Sequence, residues 1–321
     1  MIYRRHLLQA APLALAPRAW AEEPWPPRGV RIVVPNPPGG TSDIAARLIF
    51  AHAAAETHKP FVIENRAGGN SGIGMVNVAR AAPDGLSFVL PSDTATYLPL
   101  VQENPPYTIA GDFTPVSLVV AQPLVIVANT QAGIDSIDAL VKAAKARPGS
   151  LGFGTSGAAG TTHHVAAARF AEAAGFSFIH VPYKGGGQAV TDLVANQIPI
   201  GVLGAGPVVP YAKAGRLKIL AVTSRERSPS LPDIPTLGEC GVPGIDITQW
   251  FALYAPVRTP AAAVNRMAAR VRAALAQPDI RAQLSAVGID ALGTDGAALE
   301  QRQKTDAAAW LSAVRRLKIS V

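Results

Sequence analysis

Residues 35–43 read Pro-Asn-Pro-Pro-Gly-Gly-Thr-Ser-Asp and follow a β-branched run, Val-Arg-Ile-Val-Val. A strand that turns through glycines into a helix start leaves backbone N–H groups without partners. Those groups, with the positive end of the helix dipole, suit a small anion. Asp43 reads as a first-turn carboxylate serving the same N–H groups; no second acid lies near it in sequence to form an acid–base pair. His163 and His164 are adjacent, so on a helix they point in different directions and do not make a metal-binding i, i+4 pair. A single histidine at a helix start instead suits donation to a ligand or to the backbone. Ser156 precedes them, but G-x-S-x-G is not met and no acid is placed to orient a base. Gly152-Phe153-Gly154-Thr155-Ser156-Gly157 fits G-x-G-x-x-G, yet the next strand ends in Val181-Pro182-Tyr183 without the acid a dinucleotide site needs. Lys184 is the one cation in that set of loops, and Tyr183 could wall a pocket or fill a surface. The chemistry predicted is capture of a solute, with no catalytic residue, no metal and no cofactor.

The elements that must position these residues alternate. Strands are predicted over 30–35, 61–64 and 86–90, with helices over 42–57 and 76–82; Ile44, Leu48, Ala51 and Ala55 mark one face of the first helix. Pro60 stops that helix, and Pro83-Asp84-Gly85 is a turn. Residues 113–129 form a long β-rich stretch broken by Pro115 and Pro123, able to pass from one lobe to another. Strands over 151–154, 178–182, 198–203 and 217–223 then alternate with helices over 136–146, 161–174, 188–196 and 208–214. In the 136–146 helix, Ile137, Leu140, Val141 and Ala144 face inward. Residues 228–244 read as a connector and 250–255 as a returning strand. The end is helical: Val264, Met267, Val271 and Leu275 share a face, Asp279 caps the next helix and Gly288 ends it, and Leu299, Trp310 and Val314 belong to the last. Such alternation predicts an α/β fold of two lobes joined by two crossings, with each lobe a mainly parallel sheet flanked by helices and the ligand cleft between them. The division expected is 22–127 plus 249–321 for lobe 1 and 128–248 for lobe 2, including a connector over 228–248.

Residues 1–21 carry Arg4 and Arg5, a short apolar run and Ala19-Trp20-Ala21, the order of a cleaved export signal. Cleavage near Ala21 predicts a periplasmic protein, and the arginine pair allows a twin-arginine route. Losing Arg4, Arg5 and Arg18 lowers the formal charge of +7 by three, to +4. That mild surplus, with no basic cluster interleaved with aromatics, excludes nucleic acid as a partner. Cys240 is the single cysteine, so no internal disulfide supports the fold; the core, from a chain 49% hydrophobic, must do so. Monomer is the expected state.

Ligands of open parallel sheets lie beyond the carboxyl ends of the strands. Here those ends carry Asn36 to Asp43, Asn65 to Gly72 and Pro91 to Tyr97 (with Ser92 and Thr94) in the first lobe, and Thr155 to Thr162 (with Ser156), Tyr183 to Gly187 (with Lys184) and Gly204 to Gly206 in the second. Glycines admit close backbone approach and hydroxyls donate or accept, a composition suited to carboxylate oxygens.

Several segments, taken in order, resemble the solute receptors of tripartite tricarboxylate transporters, the Bug family. They are Val33-Val34-Pro35-Asn36-Pro37-Pro38-Gly39-Gly40-Thr41-Ser42-Asp43, Glu64-Asn65-Arg66, Ala79-Arg80-Ala81-Ala82-Pro83-Asp84-Gly85, Phe113-Thr114-Pro115-Val116-Ser117, Gly160-Thr161-Thr162-His163-His164, His180-Val181-Pro182-Tyr183-Lys184-Gly185 and Leu220-Ala221-Val222-Thr223-Ser224. The resemblance implies a two-lobed periplasmic binding protein, type II-like, that closes on a small organic carboxylate. It assigns carboxylate contacts to Pro38, Gly39, Gly40, Thr41 and Asp43 from one lobe and to Gly160, Thr161, Thr162 and His164 from the other. This chain has Asn36 where the family usually has an aromatic, and its loop from Ser156 to His164 is one residue longer. Val202-Leu203-Gly204 offers no Asp or Asn for a ligand amino group, and Leu203 points to a ligand with an unsubstituted or aromatic body. The implied partners are membrane transporter subunits or, alternatively, a sensor kinase. An exported α/β hydrolase using Ser156, His164 or Lys184 is the remaining alternative.

Overall fold

The structure, a computed structural model, describes residues 25–320. The expected export signal over 1–21 lies outside the described residues. The first part of the chain forms β1 (Val30–Val34), α1 (Thr41–Thr57), β2 (Phe61–Asn65), α2 (Gly72–Ala79), β3 (Ser87–Val89), the single turns α3 (Thr94–Tyr97) and α4 (Ile109–Asp112), and the long strand β4 (Phe113–Asn129). The second part forms α5 (Ile137–Ala146), β5 (Gly152–Ser156), α6 (Thr162–Ala174), β6 (Ile179–Tyr183), α7 (Gly186–Val194), β7 (Ile200–Gly204), α8 (Ala205–Lys213) and β8 (Leu217–Val222). The chain returns through β9 (Thr248–Pro256), α9 (Ala261–Ala276), α10 (Pro278–Ser285), β10 (Asp290–Ala291) and α11 (Gly296–Arg316).

The strands follow the order β2-β1-β3-β9-β4-β7-β5-β6, with β10 and β8 also paired to β4. β1 pairs in parallel with β2 and β3, and β5 in parallel with β6 and β7. β9 and β4 close each trio from the antiparallel side, so each half is a mixed sheet rather than a mainly parallel one. The reason is connectivity. These two strands carry the chain between halves in opposite directions, without the helical crossover that parallel pairing needs.

β4 decides where the halves meet. Residues 113–123 pair with β9, whereas 124–129 pair with β7 and β8. The change falls at Pro123, which has no N–H to give a ladder. It comes ahead of the 127/128 boundary read from the sequence, because residues 124–127 take their hydrogen bonds from the second half. Alternation along β4 sends Leu124, Ile126 and Ala128 into one core and Val125 and Val127 into another, as a period of two requires.

Helix starts and faces show three differences from expectation. α2, α7 and α8 begin at Gly72, Gly186 and Ala205, ahead of the first apolar-periodic residues. First-turn N–H groups have no partner within the helix, so glycine and Pro207 are tolerated there. The buried face of α1 is Ala45, Ala46, Ile49, Phe50 and Ala53, while Ala51 and Ala55 are exposed. Phe50 sets that face by stacking on Phe61, with centroids 5.9 Å apart. Asp279 lies in the first turn of α10, where Gln277 is the cap residue and Pro278 takes the first helical position. α9 otherwise buries the expected Val264, Met267, Val271 and Leu275, and α11 the expected Leu299, Trp310 and Val314.

Phe153 is fully buried, with its ring centroid 4.9 Å from Phe178 and 5.8 Å from Phe176. Phe153→Ala should lower unfolding free energy by about 3–5 kcal/mol, read from urea titration. A loss below about 1 kcal/mol would show that this cluster does not hold the second half together.

Candidate functional site

A cleft of about 580 Å³ lies where the carboxyl ends of both parallel trios meet. From the first half, Pro35, Asn36, Pro37, Gly40, Thr41 and Ser42 line it after β1, residues 67–71 after β2, and Ser92 and Thr94 after β3. From the second half come Ser156, Gly157, Ala158, Thr161 and His163 after β5, residues 182–186 after β6, and Gly204 and Pro207 after β7. Gln249 and Phe251 of β9 complete the lining.

The helices that start here share a property. The cap residues of α1, α7 and α8 are Gly40, Gly185 and Gly204, and that of α2 is Ser71. None of the four gives a side-chain acceptor to its helix. All four cap residues line the cleft. A glycine cap leaves the first-turn N–H groups to whatever occupies the space in front of them. α6 is capped from a side chain, with Thr161 Oγ1 accepting from His164 N–H at 3.4 Å, and so is the single turn α3, with Asp93 accepting from Thr94 N–H at 2.8 Å.

The residues expected at the site divide. Asn36, Gly40, Thr41, Ser92, Thr94, Ser156, Thr161, Tyr183, Lys184 and Gly204 line the cleft; Pro38, Gly39, Asp43, Gly160, Thr162 and His164 are not among its lining residues, and Pro38 and Gly39 are exposed. Asp43 accepts from Gly39 N–H at 3.0 Å, from Asn65 Nδ2 at 3.0 Å and from Arg47 at 2.9 Å. Burial works against its charge, but these donors together hold its pKa below the usual carboxylate value. Asp43 therefore braces the loop through Gly39, ahead of the helix, and through side chains of Asn65 and Arg47, not through the free first-turn N–H groups expected of it. His164 Nδ1 accepts from Gly160 N–H at 3.2 Å, and its ring lies 4.2 Å from that of His180. Burial first, and His180 second, pull the His164 pKa down to about 4. Tyr183 donates to Asp192 at 2.9 Å, with its own pKa pushed up to about 12 chiefly by burial. Leu203 is fully buried in the core beneath the cleft and is not part of its lining. Its apolar character therefore carries no information about the ligand body.

Contacts across the cleft bind the halves together. Gln122 is fully buried and sits at the crossing. Its Nε2 donates to Thr41 Oγ1 at 2.9 Å and Gln249 Oε1 at 2.9 Å, and its Oε1 accepts from Gly206 N–H of α8 at 3.1 Å. A Cβ on Gly204 would collide with that amide. Asp93, after β3, accepts from Thr162 Oγ1 of α6 at 2.9 Å. Trp310 of α11 donates to Gly160 O at 2.8 Å. The Gly185 cap closes on Pro37, and a methyl there would lie 3.1 Å from the proline ring.

The sequence reading placed Asn70, Ser71 and Asp93 at the cleft only as members of the strand-end segments 65–72 and 91–97, and it did not select His163 or Gln122. The glycine-rich loop after β2 signalled the first two. His163 was one of an adjacent pair, and nothing local separates the two. Gln122 and Asp93 act on partners 84 and 69 residues away, beyond the reach of any motif.

Two α/β lobes with a cleft of helix starts between them define a two-lobed solute-binding protein. The family model described as the tripartite tricarboxylate transporter family receptor matches residues 45–317, and the chain belongs to that family. The UPF0065 protein of the tcbD–tcbE intergenic region of Pseudomonas sp. (strain P51) is 34% identical over 313 residues, covering 96% of this chain and 93% of that one. Rpa4515 of R. palustris, solved with adipate, superposes with a TM-score of 0.87 at 30% identity, covering 92% of this chain and 99% of that one. MatC (Rpa3494) from Rhodopseudomonas palustris, solved with bound malate, gives 0.83 at 28% identity, covering 90% and 100%.

Asp93 allows a test of the contact between halves. Burial is the main cause lifting its pKa from 3.8 to about 7, with Asp306 adding to it and Thr162, Thr94 and Arg302 opposing. Between pH 4 and 7 the folded protein keeps a proton that the unfolded chain releases, so this group makes stability fall as pH rises through that window. Asp93→Asn, which mimics the neutral acid, should flatten the decline of melting temperature between pH 4.5 and 7.5 relative to wild type. Parallel pH profiles for the two proteins would contradict the assignment.

Proposed function

We propose that this protein is exported, with its signal removed near Ala21, and works in the periplasm as a receptor that closes on a small organic carboxylate. It then presents the loaded, closed form to the membrane subunits of a tripartite tricarboxylate-type transporter. The mature lobes are 22–127 with 249–321 and 128–248, the strand pairing favouring a hinge at 123–124. The observation that carries this reading is the set of helix starts without side-chain caps, Gly40, Ser71, Gly185 and Gly204, facing one cleft from both sides.

The magnitudes are adequate. Each hydrogen bond to a charged group contributes about 1.5–3 kcal/mol, and micromolar affinity needs about 8 kcal/mol. A few N–H groups from each lobe, supplemented by Thr41, Ser42, Ser92 and Ser156, reach that figure. The cleft volume falls within the usual range for small-molecule sites, about 300–1,000 Å³. Adipate and malate, held by relatives of the same fold and family, are acids of suitable size. A first-lobe encounter followed by second-lobe contacts shifts an open–closed equilibrium by the ligand's differential affinity for the two forms. Asn36, Gly40, Thr41, Ser42, Ser92, Thr94, Ser156, Thr161, Tyr183, Lys184 and Gly204 are the side chains and backbone groups proposed to touch the ligand.

Titration calorimetry on the mature protein across mono- and dicarboxylates should find at least one acid that binds saturably to a single site. Gly185→Val places a branched side chain against Pro37 and should weaken that binding tenfold or more, with the melting temperature of the ligand-free protein unchanged. No response across the acids, or undiminished affinity in the variant, would contradict closure on a carboxylate.

A further inference from the structure

Asp93 is a carboxyl group enclosed between the two halves of the molecule. It is 1% exposed, and both of its oxygens accept from neutral donors. Oδ1 takes Thr94 N–H at 2.8 Å; Oδ2 takes Thr162 Oγ1, from the opposite half, at 2.9 Å. Thr162 N–H in turn donates to Thr94 Oγ1 at 3.2 Å. Thr94 lines the ligand cleft, whereas Asp93 and Thr162 line a second cavity of about 160 Å³ bordered by α6 and α11. The contact thus joins the cleft to a space that no step of solute capture uses.

The charges around Asp93 are engaged elsewhere. On α11, Arg302 pairs with Asp306, which also accepts from Trp250 Nε1 at 3.0 Å. On α6, Arg169 donates to the Gly244 carbonyl at 2.6 Å, and His163 follows Thr162 at the cleft. Asp246, ahead of β9, accepts from Arg225 N–H at 3.1 Å, and burial keeps Tyr97 of α3 neutral. Among the described residues, neither arginine forms an ion pair with Asp93. A buried carboxyl group with neutral partners favours its protonated form; burial lifts the Asp93 pKa to about 7 against the donations of Thr162 and Thr94. Opening withdraws Thr162 and admits water, which returns the group toward the ordinary carboxylate range. The pH effect on stability described above belongs to the closed arrangement. We propose that the receptor takes up a proton at Asp93 as it closes on its ligand, so that this residue makes ligand affinity fall as pH rises from 6 to 8. The inference rests on the reading of the cleft as one that closes on a carboxylate. The closed form holds a proton that the open form has released. An acid that selects the closed form therefore binds less tightly as protons become scarce.

Calorimetry with malate, succinate and adipate at pH 6, 6.5 and 8 tests this on the mature protein and on Asp93→Asn. Between pH 6 and 8, wild-type affinity should fall about fivefold or more relative to Asp93→Asn. In that ratio the titration of the acid itself and of His163 cancels. At pH 6.5, heats compared between MES and bis-tris buffers should show the wild type taking up at least about half a proton more per bound acid than the variant. A constant affinity ratio, or equal proton uptake, would overturn the proposal. If circular dichroism shows Asp93→Asn unfolded, infrared difference spectra of the wild type at pH 6.5 decide. Binding of the acid, carbon-13-labelled at its carboxyls, should then add an unlabelled protonated-carboxyl band, and absence of that band overturns the proposal. Binding without proton uptake sinks this inference alone; no binding by any acid sinks the carboxylate reading as well.

Discussion

Uncapped helix starts are the constraint on which the rest of this structure depends. A helix that begins at glycine forgoes a stabilising side-chain acceptor and leaves N–H groups to be satisfied from outside. Here Gly40 and Gly185 do so around one space, and Gly204 opens a third start whose Gly206 N–H is already held by Gln122. Glycine also allows the approach of the lobes: Gly185 meets Pro37, Gly187 comes close to the Pro38 carbonyl, and Gly204 and Gly206 fit against Gln122 and Thr41. The same residues thus combine helix starts without side-chain caps with close approach of the two halves, so a substitution at any of them acts on both.

Buried polar groups couple the lobes, beside exposed contacts such as Arg316 to Glu172 and Lys213 to the Ala286 carbonyl. Gln122 links Thr41, Gln249 and Gly206 at the point where β4 changes partners. Asp93 and Thr94 engage Thr162 at the start of α6. Trp310 reaches Gly160 from the final helix. Buried hydrogen bonds of this kind favour one arrangement, because opening exchanges them for water and misalignment leaves them unpaired. Asp43 serves differently: paired with Arg47 and Asn65, it stiffens the first anion loop from behind.

Much of this was legible along the chain because it is local. Periodicity and turn residues located β1, β4, α5 and the final helices closely, since strand and helix signals are written in neighbouring residues. The loop after β1 that lines the cleft was legible for the same reason. The buried face of α1 was not, because two stripes were available and the choice depends on Phe61 and on α9 packing over it. Nor was the antiparallel return of β9 and β4, which follows from topology and not from residue type. At the site, family likeness directed attention to His164, whose ring is turned toward Gly160 and His180, while its neighbour lines the cleft. Adjacent residues on a helix differ by about 100° in direction, and only three-dimensional packing tells which of the two lines the cleft.

The most direct measurement is a crystal structure of the mature protein with a carboxylate identified by calorimetry. The expected result is carboxylate oxygens within 2.7–3.2 Å of first-turn N–H groups from α1 on one side and from α7 or α8 on the other, with the lobes shut. A carboxylate held by side chains of a single lobe, with those helix starts filled by water, would contradict it.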